Sequence, residues 1–177
     1  LNYNGYPASV CVSVNDEVVH GIPRNDRILM EGDIVSLDAG LIYKGYHSDA
    51  ARTYGVGEIA PEVQQLIDET RNSFYAGIKM AKAGNHLHDI SNAIDAYISQ
   101  FGYGIVRELV GHGIGTKLHE DPQIPNFRQE RRGIKLQPGM TLAIEPMINM
   151  GRCDVEFLDD DWTVVAADGL PSAHYEN

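Results

Sequence analysis

The sequence predicts an α+β fold, a curved antiparallel sheet with helices covering one face. Three observations carry this. Short apolar runs of strand character stand near both ends of the chain. Between them lie two stripes of apolar residues at three- and four-residue spacing, one face of a helix each. The third is a repeat. Leu29-x-x-Gly32-x-x-x-x-Leu37-Asp38 is matched by Leu136-x-x-Gly139-x-x-x-x-Ile144-Glu145. Each copy is a turn glycine, an apolar strand, then an acid six residues past the glycine. Ten residues can match by chance. Taken as real, the repeat predicts two similar halves that each deliver a strand-borne carboxylate to one centre.

The elements follow in order. Ser9 to Val14 reads as a strand that Asn15-Asp16 turns. Glu17 to Val19 leads into the loop His20-Gly21-Ile22-Pro23. Gly32 to Tyr54 then forms two alternating runs joined at Lys44-Gly45, a turn tolerant of positive φ. That turn pairs Tyr43 with Tyr46 and Gly40 with Asp49. Asp38 and Asp49 become diagonal neighbours, roughly 7–8 Å apart at the backbone. Two like charges so placed are either exposed aspartates at a hairpin end, the commoner fate of Asp, or hard oxygen ligands for divalent cations. Pro61 opens a helix whose stripe runs from Val63 through Phe74 and Ile78 to Ala81, and Gly84 breaks it. A second helix runs from about His86 to Phe101, and Gly102 stops it. Short strands and loops complete the chain.

At 177 residues the chain suits one domain, residues 1–177, with a proper core. A net charge of −11 argues against a nucleic-acid surface, and no apolar run is long enough to span a membrane. Cys11 and Cys153 are the only cysteines, so a reducing compartment fits. The chain begins at Leu1 and reads as an excerpt of a longer protein lacking N-terminal helices and a C-terminal strand. Taken as complete, it would leave Glu176 on a fraying end and be unstable or poorly active.

Further acids and histidines stand out. Gly111-His112-Gly113-Ile114-Gly115 sets a histidine between glycines, where backbone can approach closely. His119-Glu120 follows. Glu145 ends the run TLAIE, and Glu176 ends SAHYE. A charge at the end of a buried strand is costly unless paired or ligating. Asp38, Asp49, Glu145 and Glu176 with one histidine would offset two divalent ions, of the harder kind rather than thiolate-type zinc. Such ions would activate a water and polarise a carbonyl.

At these residues the chain resembles the type I methionine aminopeptidases, metallopeptidases of the pita-bread fold. The matching pieces are HGIP at His20, Asp38 and Asp49 with ten residues between them as D-x10-D, GHGIG-x3-HE from His112 to Glu120, IEPM at Glu145 and YE at Glu176. They cover essentially the whole chain and are specific together, though none is alone. The resemblance implies a pita-bread fold with pseudo-twofold halves and helices on the outer face of its curved sheet. It implies removal of the N-terminal methionine where the second residue is small. It implies two divalent ions (Co, Mn, Fe or Zn): Asp38 on one, Asp49 and Glu176 bridging both, His112 the only nitrogen ligand, and Glu145 both ligand and general base. His119 would stabilise the tetrahedral intermediate and His20 would contact the scissile peptide. Tyr3, Tyr6, Cys11, Leu118 and Trp162 would line the methionine pocket. The implied setting is the cytoplasm and the implied state a monomer, with nascent chains at the ribosome as partners.

The chain departs from many bacterial members at Leu118, where an aromatic is common, and at Asn4, where a histidine is common. Asn177 replaces a histidine that often follows the glutamate. Selectivity near the pocket is therefore less firmly implied than the metal set. The runner-up is an aminopeptidase P or prolidase of the same fold. A third reading is a non-catalytic binding module, which should have lost ligands, and here all five positions are intact. Outside the motifs, alternation puts His47 on the face of Asp49 and His174 on the side of Glu176, each a spectator more readily than a partner behind a ligand. His86 and His88 read as surface, Cys153 as packing, Asp159-Asp160-Asp161 as a solvated turn and Arg131-Arg132 as too short for a nucleic-acid patch.

Overall fold

The computed structural model describes residues 3–177. The first stretch holds β1 (Cys11–Val14), β2 (Glu17–Val19), β3 (Ile34–Asp38), β4 (Leu41–Tyr43), β5 (Tyr46–Ser48) and β6 (Ala51–Gly55). Two helices follow, α1 (Pro61–Ile78) and α2 (Leu87–Ile98). Then come β7 (Gly104–Ile105), β8 (Gly111–Gly113), β9 (Glu120–Ile124), β10 (Leu142–Ala143), β11 (Met147–Asn149), β12 (Val155–Phe157), β13 (Val164–Ala166) and β14 (Ser172–His174). All strand pairings are antiparallel.

The long first hairpin folds as its alternation requires. Tyr43 pairs with Tyr46 around Lys44-Gly45, and Asp38 pairs with Ala51 farther down the same ladder. Gly40 and Asp49 fall in the gap between the two ladders, outside either strand pair. Alternation does not translate into alternating burial. Ile34, Val35 and Ser36 of β3, the central strand between β1 and β6, are all buried, whereas Leu37 is 40% exposed.

Both helices lie where their stripes predict. Phe74, Ile90 and Ile94 pack on Ile124, Leu136 and Ile144, while Leu66 and Ile98 pack on Ile148 and Ala173. Burial of this kind stabilises by about 1.5–3 kcal/mol per large side chain. The first helix ends at Ile78, three residues before the stripe does; Ile78 and Ala81 are exposed and offer the sheet nothing to hold a further turn. The second starts after His86, whose N–H donates to Asp89 at 2.8 Å, a helix-start arrangement, and it stops at Ile98, so Phe101 belongs to the following turn.

The two halves are stitched by residues 174–177. Glu176 exchanges backbone hydrogen bonds with Ala51, at 2.9 and 3.4 Å, on one side. On the other, Asn177 and Ile144 exchange theirs, at 3.0 and 3.3 Å. Thr53 Oγ1 accepts from the His174 N–H at 2.8 Å and donates to its carbonyl at 3.0 Å. Glu176 is therefore not on a fraying end; it is 2% exposed and bonded on both flanks.

Candidate metal centre

Asp38 and Glu145 reach the centre by the routes the repeat describes, and Asp49 and Glu176 by others. Asp38 closes β3, Asp49 sits two residues before β6, Glu145 follows β10, and Glu176 rides the stitching segment. His112 is the middle residue of β8, flanked by glycines that the packing demands. A Cβ on Gly111 would run into the carbonyl of Ala143, and one on Gly113 into the carbonyl of Asp121. The imidazole Nδ1 bonds to the carbonyl of Gly113 at 2.8 Å, so its proton sits there and Nε2 is left as a donor atom for a metal.

One side-chain atom each from Asp49, His112 and Glu176 lies within 4.8 Å of the other two. Glu145 Oε1 stands 3.5 Å from His112 Nε2. Burial, then the charge of Asp49, pushes Asp38 up to about 7. Burial, then Glu145, Asp49 and Asp38, pushes Glu176 up to about 11. Burial and the same two aspartates raise Glu145 well above the ordinary carboxylate range. Asp49 is raised too, chiefly by burial.

Asp38, Glu145 and Glu176, each raised by burial and by neighbouring carboxylates, need positive charge, and the nearby cation supplies only a small part of it, to Glu176. Arg52 donates instead to the backbone carbonyls of Ala51 and Glu176 and stacks over Tyr175 at 3.9 Å. Glu145 Oε1 is buried with no hydrogen-bond partner among the described residues. A hard oxygen set with one imidazole, crowded, buried and uncompensated, fits divalent cations.

Above the acids opens a cleft of about 690 Å³. Tyr3, Tyr6, Cys11, Leu118 and Trp162 line it, as do His20 and His119. All twelve predicted site residues thus face one cavity. Tyr6 fixes part of it: its hydroxyl donates to the carbonyl of Gly21 at 2.8 Å, and its ring meets Trp162 edge-on at 5.0 Å. His20 takes a left-handed φ of 59° next to Gly21. Burial pulls the His20 imidazole below its usual value, and burial with His112 pulls His119 down to about 4. Both rings are neutral near pH 7. His119 Nδ1 lies 2.6 Å from the Tyr3 hydroxyl. With the phenol donating, the ring proton is on Nε2.

Two features escape the sequence reading. His174 is no spectator: it is 2% exposed, its Nε2 is 3.8 Å from Glu145 Oε2, and both ring nitrogens lack hydrogen-bond partners among the described residues. The acids at 159–161 are exposed and form the expected turn, with a role in it that the sequence did not suggest. Asp160 accepts from the N–H groups of Trp162 and Thr163, at 2.9 and 2.7 Å, and so holds the tryptophan against the cleft. His47 is half-buried at the cleft's rim.

Comparison with known proteins agrees with this geometry. The methionine aminopeptidase of Clostridium perfringens is 57% identical over 173 residues, covering 98% of this chain and 69% of that one. That of Clostridium acetobutylicum is 54% identical over 175 residues, covering 99% and 70%. The crystal structure of a methionine aminopeptidase from Thermotoga maritima superposes with a TM-score of 0.97 at 46% identity, over 99% of this chain and 71% of that one. The model of metallopeptidase family M24 matches residues 1–170. With its pita-bread arrangement of two strand-borne halves, the chain belongs to metallopeptidase family M24.

Proposed function

We infer that this chain is a metallo-aminopeptidase that removes the N-terminal methionine from polypeptides whose second residue is small. The observation that carries the reading is the convergence of four carboxylates and His112 at the foot of an apolar cleft. The activity named for its relatives supports it. Asp38, Asp49, His112, Glu145 and Glu176 would hold two divalent cations of the Co, Mn, Fe or Zn class. Such ions, when bound, supply positive charge for an attacking water and for the scissile carbonyl.

The chain's own groups do the rest. Glu145 takes the proton of the water and passes it to the leaving amine. His119, neutral, donates from Nε2 to the oxygen that gains charge as the carbonyl carbon becomes tetrahedral. His20 orients the scissile peptide beside the second residue. Tyr3, Tyr6, Cys11, Leu118 and Trp162 hold the methionine side chain, and an apolar, polarisable lining suits a thioether. Residues 1–177 act as one domain, a monomer in the cytoplasm working on nascent chains near the ribosome.

The test is metal-dependent release of methionine from Met-Ala-Ser and Met-Leu-Ser. Release from the first peptide only, lost in Asp49→Ala and Glu176→Ala, is the expected result. A folded, metal-loaded protein that frees no methionine overturns the reading. Cleavage before proline instead would move it to the prolidase side of the fold.

A further inference from the structure

We propose that the open edge of β4 is a docking strand for the substrate polypeptide downstream of the scissile bond. This rests on the peptidase reading above and adds to it a second recognition site, one that reads backbone rather than side chains.

The ribbon of β4 and β5 is rooted in the metal centre. It leaves Asp38 through Ala39 and Gly40 and returns through Ser48 to Asp49. It forms a two-stranded sheet of its own, and such a ribbon is marginal in water without a partner. Yet it carries Leu41, Ile42, Tyr43 and Tyr46 at 60, 66, 68 and 63% exposure. Large exposed apolar groups next to a cleft mark an interaction surface.

Its two edges differ. The His47 N–H donates to the carbonyl of Gly115 at 2.7 Å, pointing away from β4. His47 opposes Ile42, so the two form the wide pair of the antiparallel ladder, and the polar backbone groups of Ile42 also point outward. Among the described residues nothing bonds to them. The outer edge of β5 is thus covered and that of β4 is open. Natural edges are guarded by short length, charges, proline or bulges; β4 is short, at three residues, and Lys44 follows it, but Leu41-Ile42-Tyr43 itself carries no charge, proline or bulge.

Continuity with the cleft names the occupant. Leu41 and Ile42 line the same cavity as the acids and Trp162. That cavity is in the size class that holds a drug-sized ligand, roughly 300–1,000 Å³, and extends past the space for one methionine. Gly40 lies between the centre and the ribbon, beside Asp49 and Leu118: a Cβ there would be in ordinary contact with Asp49 Oδ1, at 3.4 Å, and with Leu118, at 3.6 Å. An extended chain leaving the centre over Gly40 meets the Ile42 N–H and carbonyl, and strand addition satisfies both. Backbone pairing is blind to sequence, as an enzyme acting on many different chains requires.

The test compares the metal-loaded protein on Met-Ala-Ser and on a hexapeptide with the same start, Met-Ala-Ser-Thr-Ser-Lys. The hexapeptide is then N-methylated at one downstream amide at a time. The expected result is a higher kcat/KM for the hexapeptide and a drop of about five-fold, the value of one hydrogen bond, at one position with its neighbours unaffected. Ile42→Pro, which removes the outward N–H, should erase the hexapeptide's advantage, whereas Ile42→Ala should keep most of it. Equal kcat/KM for both lengths, or no methylation-sensitive position, overturns the proposal while leaving the peptidase reading intact. Self-association that Ile42→Pro dissolves, with no length preference, overturns it in favour of a second copy of the chain. No methionine from any peptide is a failure of the peptidase reading instead.

Discussion

At the scale of single residues, the centre depends on hydrogen bonds that fix which nitrogen carries a proton. Tyr3 is the case in point. The sequence offers it only as an aromatic of the pocket, yet its hydroxyl meets His119 Nδ1 at 2.6 Å. Tyr3→Phe keeps the ring and frees that nitrogen, so the proton can move to it and leave Nε2 without one. The expected effect is a fall in kcat of about five-fold with a smaller change in KM for Met-Ala-Ser. An unchanged kcat would remove Tyr3 from any role beyond packing. His174 argues the same way. Its neutral ring, held down to about 3 by burial, faces Glu145 Oε2. His174→Ala should lower kcat by roughly 10–100-fold, as loss of a partner behind a metal ligand does. His174→Gln, which restores a donor, should recover most of it at equal metal content. Alternation from Glu176 already put His174 on the acid's side. Its burial was not legible, because that comes from the packing of β14 against α1, β2, β6 and β11.

At the scale of elements, the repeat is where pattern and structure meet. Gly32 and Gly139 open the two copies, and their φ values are +95° and +90°. Nothing lies within 4 Å of a Cβ built on either. Alanine there meets no clash, and its cost is the left-handed backbone alone, about 1–2 kcal/mol. Thermal melts of Gly32→Ala and Gly139→Ala should show drops of roughly 2–4 °C per kcal/mol, with metal affinity kept. Gly113→Ala should lose more and lose metal with it, since its Cβ would drive into the carbonyl of Asp121 and displace His112. Similar losses at all three positions would show that the turns serve only to pack. The turn glycines, helix stripes and β4–β5 turn were legible because each is a local pattern with a local cause. The end of α1 at Ile78 and the consecutive burial of Ile34, Val35 and Ser36 were not, since tertiary packing rather than local pattern decides them.

At the scale of the whole molecule, folding brings carboxylates from both halves into one buried volume, and the uncompensated charge sets how stability varies with pH. The repeat gave a reason for Asp38 and Glu145 to meet; the arrival of Glu176 depends on the segment that stitches β6 to Ile144, which the sequence alone showed only through family likeness. Unfolded carboxylates titrate near 4. In the fold without metal, Asp38 titrates at about 7 and Glu176 at about 11. Above pH 4 the unfolded chain releases protons that the folded chain keeps. The metal-free fold therefore loses stability as pH rises from about 4 toward 7 for Asp38, and on toward 11 for Glu176. Divalent cations reverse the slope by taking the place of those protons, so binding must release protons. With chelator present, the melting temperature should be several degrees lower at pH 8 than at pH 5.5. Saturating Mn²⁺ should raise it more at pH 8 than at pH 5.5, and calorimetry in buffers of different ionisation enthalpy should register the protons released. Asp38→Asn should melt higher than the parent in chelator at pH 8 and gain less from Mn²⁺, because it removes both the repulsion and a ligand. A chelated parent equally stable at both pH values would mean that the acids are hydrated rather than buried together, and the centre would then have no electrostatic need of a metal.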